Sequence, residues 1–73
     1  MTNEIEKLKQ LGLNIQNARK QLKLTQNELA ELLDISREHL AKLETGQRRI
    51  SLKLLFKLSE ILKIEESQLL NFN

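Results

Sequence analysis

Between Thr25 and Gly46 the chain carries two helix-start signals eleven residues apart and a stop after the second. The first start is Thr25-Gln26-Asn27-Glu28. A threonine hydroxyl accepts from the free backbone N–H groups of the first turn, and a glutamate three residues on reaches back to the threonine N–H, which makes a capping box. Leu24 and Leu29 flank this start at the spacing of a hydrophobic staple. The second start is Ser36, with Ile35 and Leu40 as its staple pair, and Gly46 supplies a C-terminal stop. The spacing predicts helices over Gln26 to Leu33 and Arg37 to about Thr45. Leu33-Asp34-Ile35 leaves room only for a sharp turn, and Asp34 tolerates the left-handed conformation that such a turn needs.

Two helices joined this closely form a helix-turn-helix, which can present its second helix to the DNA major groove. At 100° per residue, Leu40 and Leu43 face inward while Glu38, Ala41, Lys42 and Thr45 lie opposite, with Arg37 at the tip. A small residue among long hydrogen-bonding ones suits contact with base edges, and suits a solvated helix equally. The formal net charge of +2 and pI near 9.2 are too mild to diagnose a nucleic-acid partner. The distribution says more: Lys42, Arg48, Arg49 and Lys53 gather within twelve residues, opposed there only by Glu44. Such a patch can meet a phosphate backbone, although on charge alone a solvated surface is an even alternative.

Upstream, Ile5, Leu8, Leu11, Ile15, Ala18 and Leu22 mark one helical face. A helix is expected from about Leu11 to Leu22. Gly12 either admits a close neighbour, which allows extension back to Glu4, or breaks the helix. Met1 to Asn3 are expected to fray. Downstream, Gln47 to Ile50 forms a basic loop. Ser51 caps a fourth helix running to about Leu62, with Ile50 and Leu55 as its staple and Leu52, Leu55, Leu58 and Leu62 expected inside. Ile64 and Leu69 repeat the staple around Glu65, a poor cap, ahead of a short fifth helix over about Glu66 to Asn71. The fold class is therefore all-α: one domain over residues 1–73, with an N-terminal extension over 1–10 and a core over 11–70. At 73 residues that core is small and stability marginal. Leu54 and Ile61, together with Leu70 and Phe72, have no obvious place in a monomer core. They are read as the interface of a two-fold homodimer, against the plain alternative of apolar side chains scattered on the surface.

No Cys is present, which excludes a disulfide and a thiolate zinc site, and the lone His39 has no carboxylates spaced to complete a metal site. No cofactor is expected. No apolar run approaches membrane-spanning length and the N-terminus is too charged for a signal peptide, so a cytoplasmic protein is expected. Without a carboxylate pair set beside a histidine, a Gly-rich phosphate loop or a nucleophile in context, the chain is read as no enzyme.

With these residues in view, the stretch from Leu11 to Leu70 resembles the phage repressor and Cro (XRE) family of helix-turn-helix domains. The resemblance rests on Gly12, Ile15 and Arg19, on Thr25-Gln26-Asn27-Glu28-Leu29-Ala30, on Ile35-Ser36, on Leu43-Glu44-Thr45-Gly46, and on Ile50-Ser51-Leu52 with Leu55 and Leu58. The run from Glu44 to Leu52 is also similar to the small controller proteins of restriction–modification systems, a branch of that family. Asp34 and Lys63 stand where the family often has Gly, so Lys63 either turns left-handed at some cost or ends its helix differently.

The resemblance implies a lambda-repressor-like domain of five helices that binds double-stranded DNA and regulates transcription. Arg37, Glu38 and Lys42 become the candidates for base edges: Arg or Lys can donate to guanine O6 and N7, and Glu can accept from cytosine N4. Glu38 has the alternative task of orienting Arg37 or Lys42. Thr25, Gln26, Ser36, His39, Gln47, Arg48 and Arg49 become candidates for the DNA backbone, with exposed polar surface as the plain alternative. Arg19 and Glu44 match a family pair that forms a buried, structural salt bridge. A different class of function stays open beside this one: an antitoxin-type module that covers a partner protein and autoregulates its operon.

Overall fold

The structure, a computed structural model, describes residues 3–72. Five helices follow one another: α1 Glu4–Gln21, α2 Gln26–Leu33, α3 Arg37–Glu44, α4 Leu52–Leu62 and α5 Glu66–Leu69, with no strand among the described residues. Four starts have a side-chain cap. The Asn3 Oδ1 accepts from Glu6 N–H at 2.8 Å, Ser36 Oγ from His39 N–H at 2.9 Å and Ser51 Oγ from Leu54 N–H at 3.1 Å. Thr25 Oγ1 accepts from Glu28 N–H at 3.1 Å while Glu28 Oε1 takes the Thr25 N–H at 2.8 Å, which closes the capping box. At α5 the Gln68 Oε1 accepts from Glu65 N–H at 2.9 Å, so this start also has a partner despite its unfavourable residue type. Leu24, Ile35, Ile50 and Ile64 each precede a helix start and pack against the core, where a staple should sit.

The ends are equally local. Asp34 and Lys63 turn left-handed, with φ of 58° and 59°. Lys63 therefore ends α4 as the family's glycine would, and Lys23 does the same after α1 at φ 59°. Two boundaries differ from expectation. Asn3 is not frayed, because its side chain holds the first turn of α1; Met1 and Thr2 lie outside the described residues. The fifth helix stops at Leu69 rather than Asn71, with Leu70 as its C-cap.

The core draws on every helix. Leu11, Ile15 and Ala18 come from α1, Leu29, Ala30 and Leu33 from α2, Leu40 from α3, Leu55, Leu58 and Leu62 from α4, and Leu69 from α5. Each large apolar side chain buried here contributes roughly 1.5–3 kcal/mol relative to exposure. Leu52 corrects an expectation. It occupies the first position of α4, past the end of the buried stripe of Leu55, Leu58, Ser59 and Leu62, and is 69% exposed. A second correction concerns the apolar stripe read as surplus. Leu54, Ile61 and Phe72 are half-buried against the chain's own core: Leu54 lies beside Leu33 and Ile35 where α4 meets α2, and α5 packs back on both α1 and α4 at the other end. Of the four residues read as an interface, only Leu70 is counted among the exposed large hydrophobics.

Candidate nucleic-acid interface

What fixes α3 is its inner side. Gly12 lets the backbones of α1 and α3 touch: a Cβ at Gly12 would stand 2.4 Å from the Glu44 carbonyl oxygen. The helix is continuous through this glycine, so the close approach, not a break, is its role. Beside that contact the Arg19 guanidinium grips Glu44, with Nε donating to Oε2 at 2.7 Å and Nη2 to Oε1 at 3.1 Å. Arg19 Nη1 also donates to the Leu24 carbonyl at 2.8 Å, which ties the start of α2 to the same group. Both side chains are almost wholly buried, so each charge relies on the other. Leu40 and Leu43 complete the buried side.

A chain of polar contacts leads outward from this pair. Gln26, the first residue of α2, donates from Nε2 to Glu44 Oε1 at 3.0 Å. Its Oε1 faces the opposite way and accepts from Arg37 Nη1 at 3.3 Å. Gln26 therefore links the buried carboxylate to the first residue of α3. On the outer edge Arg37, Glu38 and Thr45 are exposed, and Ala41 and Lys42 are half-buried. The Lys42 Nζ approaches Glu38 Oε1 at 3.9 Å, a loose pair one turn apart. Thr45 bends its hydroxyl back to donate to the Ala41 and Lys42 carbonyls.

The flanks of that edge are polar and open. Thr25 and Ser36 are exposed at the starts of α2 and α3, each with its oxygen committed to a cap. Gln47, Arg48 and Arg49 are exposed in the loop after α3. Gly46 starts this loop at φ 78°, and a Cβ there would stand 2.8 Å from the Lys9 backbone, so the loop lies directly against α1. Arg49 Nε meets Glu4 Oε1 at 2.5 Å across this junction. His39 takes a different direction. It is half-buried and lines a cleft of about 300 Å³ with Leu33, Ile35, Ser51, Lys53 and Lys57, on the α4 side of the helix-turn-helix.

The structure thus brings Gln26 together with Arg37, and Glu38 with Lys42, along the outer edge of α3, while Arg48 and Arg49 are exposed in the following loop, Arg49 paired with Glu4, and His39 lines the cleft beside α4. Sequence reasoning missed the two bonds of Gln26, which join residues 18 and 11 positions apart. It also missed Phe56, which is 54% exposed on α4 one turn after Leu52; that i, i+4 apolar pair was readable in the sequence.

Two short helices with one buried side and one open polar edge, held by a third helix behind them, define a helix-turn-helix protein. The chain belongs to the HTH_3 helix-turn-helix family, whose model matches residues 15–69. Among solved structures it is similar to the restriction-modification controller protein C.AhdI from Aeromonas hydrophila, at 34% identity and a TM-score of 0.80, over 85% of this chain and 94% of that one. It is similar to the clp gene regulator ClgR from Corynebacterium glutamicum, at 29% identity and TM-score 0.81, over 85% of this chain and 66% of that one. The same fold recurs in hydroxypropylphosphonic acid epoxidase from S. wedmorenis, at 22% identity and TM-score 0.85, over 92% of this chain and only 36% of the enzyme. No curated protein sequence matches the chain. No helix is long and apolar enough to cross a membrane among the described residues.

Proposed function

We propose that this chain is a cytoplasmic transcriptional regulator that binds double-stranded DNA, with α3 lying in the major groove. The observation that carries this reading is the outer edge of α3: Arg37 and Glu38 are exposed and Lys42 is half-buried, held only by surface contacts of 3.3 and 3.9 Å, on a helix whose other side is locked. Arg37 and Lys42 suit guanine, and Glu38 suits cytosine or the orientation of Lys42. Gln26, at the N-terminus of α2, meets a phosphate where the helix dipole favours an anion. Arg48, Arg49 and Gln47 follow the backbone on one side, and Thr25 and Ser36 line the approach. Because it lines the cleft beside α4, His39 contributes at the margin.

The protein acts without catalysis or cofactor, by occupying an operator. The epoxidase shares only the fold, and a fold alone does not carry a reaction. C.AhdI is named a controller protein and ClgR a gene regulator, which supports this class. A homodimer through α4 and the C-terminal segment, using Leu70 and the uncovered edges of Leu54, Ile61 and Phe72, sets two recognition helices about 34 Å apart on an imperfect palindrome. Selection of bound duplexes from random DNA tests both statements together. Two related half-sites one helical turn apart, each with at least one G·C pair, are expected. Recovery of no sequence preference overturns the reading, and recovery of a single half-site overturns the dimer.

Leu52 and Phe56 favour one second reading. Two large apolar side chains on the open face of α4 fit a partner protein, as in an antitoxin-type module that also regulates its own operon. A neighbouring toxin-sized reading frame would support it; an adjacent methylase or nuclease gene would support a controller.

A further inference from the structure

Arg49 belongs to the loop laid over the DNA backbone in the reading above, and the inference here rests on that placement. In the free protein this guanidinium already has a partner, since its Nε meets Glu4 Oε1 at 2.5 Å. Glu4 is the first residue of α1, ahead of the stretch over 15–69 that matches the family. Gly46 seats the loop on the backbone of α1, with no room for a Cβ beside Lys9, and three residues further on Arg49 reaches Glu4 in the first turn of α1. Asn3 caps that turn and so holds Glu4 in place.

We propose that Glu4 competes with DNA phosphate for Arg49, so that the N-terminal turn of α1 attenuates DNA binding from within the chain. The two side chains are 80% and 58% exposed, and a solvated ion pair of this kind is weak. Phosphate therefore displaces it. The displacement subtracts from affinity and masks part of the salt dependence, because added salt weakens the competing pair along with the DNA contact.

The test uses a random-sequence duplex, whose binding is almost entirely electrostatic, and four full-length proteins: unmodified, Glu4→Gln, Arg49→Ala and the double variant. Glu4→Gln should tighten binding roughly two- to fivefold at low salt, the range that a weak exposed pair allows. It should also steepen the slope of log affinity against log salt by up to about 0.9, the value for one phosphate contact. In the Arg49→Ala background the same change should do nothing. A gain that survives Arg49→Ala overturns the proposal, since Glu4 then acts only by repelling DNA. So does the absence of any gain while Arg49→Ala still flattens the slope; the loop then binds DNA unhindered. If neither single variant alters the slope, the loop lies outside the interface and the placement of Arg49 falls with the competition.

Discussion

The two sides of α3 are held by opposite means. Its inner side touches α1 backbone to backbone at Gly12 and anchors Glu44 on Arg19 through two charge-assisted hydrogen bonds. Its outer side has a bond of 3.3 Å from Arg37 to Gln26 and a pair of 3.9 Å between Glu38 and Lys42, both at the surface. The same eight residues are thus rigid in position and free in chemistry. The proposed fit of α3 between two phosphate strands needs both, and the strong interactions sit where no ligand can reach.

The comparison breaks most visibly at Glu44. Glu44→Ala leaves a buried guanidinium unpaired and should cost about 3–5 kcal/mol in urea denaturation; a variant as stable as the parent would show that the pair holds nothing. Gly12→Ala should come next. The added methyl meets backbone rather than a movable side chain, an overpacking cost of roughly 3 kcal/mol, while helix propensity returns about 1 kcal/mol. A net loss of about 2 kcal/mol in the same assay is expected, and a gain would mean that α3 can move away. The outer side should behave in reverse. Lys42→Ala should leave the denaturation midpoint within about 0.5 kcal/mol of the parent, yet weaken binding to the selected operator by about 1–2 kcal/mol and relax preference at one base pair. Loss of stability without change in preference would move Lys42 to the scaffold. Arg48→Ala should have the smallest effect, a salt slope shallower by about 0.9 with the base preference untouched.

Much of the inner architecture was legible because it is written in short-range signals. Thr25 with Glu28, Ser36 and Ser51 each declare a helix start within three residues, and an apolar residue ahead of each start fixes how the chain enters. The bounds of α2 follow from these alone. The pairing of Arg19 with Glu44, 25 positions apart, was legible only through family resemblance, since nothing in periodicity joins them. Contacts that depend on the final placement of distant segments left no such mark. Asn14 donates to the carbonyls of Leu69 and Asn71, tying the C-terminal segment to α1, and this docking covers apolar surface that counting along α4 had left unassigned. Asn3 with Glu6 was a readable cap passed over because it stood at the chain end. On the outer edge of α3 the sequence offered residue types; which of them share a surface came from the turn between α2 and α3.

Dimethyl sulfate interference is the most direct measurement of where that outer edge goes, because the reagent methylates guanine N7 in the major groove and adenine N3 in the minor. On the selected operator, methylation at guanine N7 in each half-site should block binding, and the block at one guanine should vanish for Lys42→Ala or Arg37→Ala. Interference confined to adenine N3, or a guanine pattern indifferent to both substitutions, would contradict the placement of α3 in the major groove.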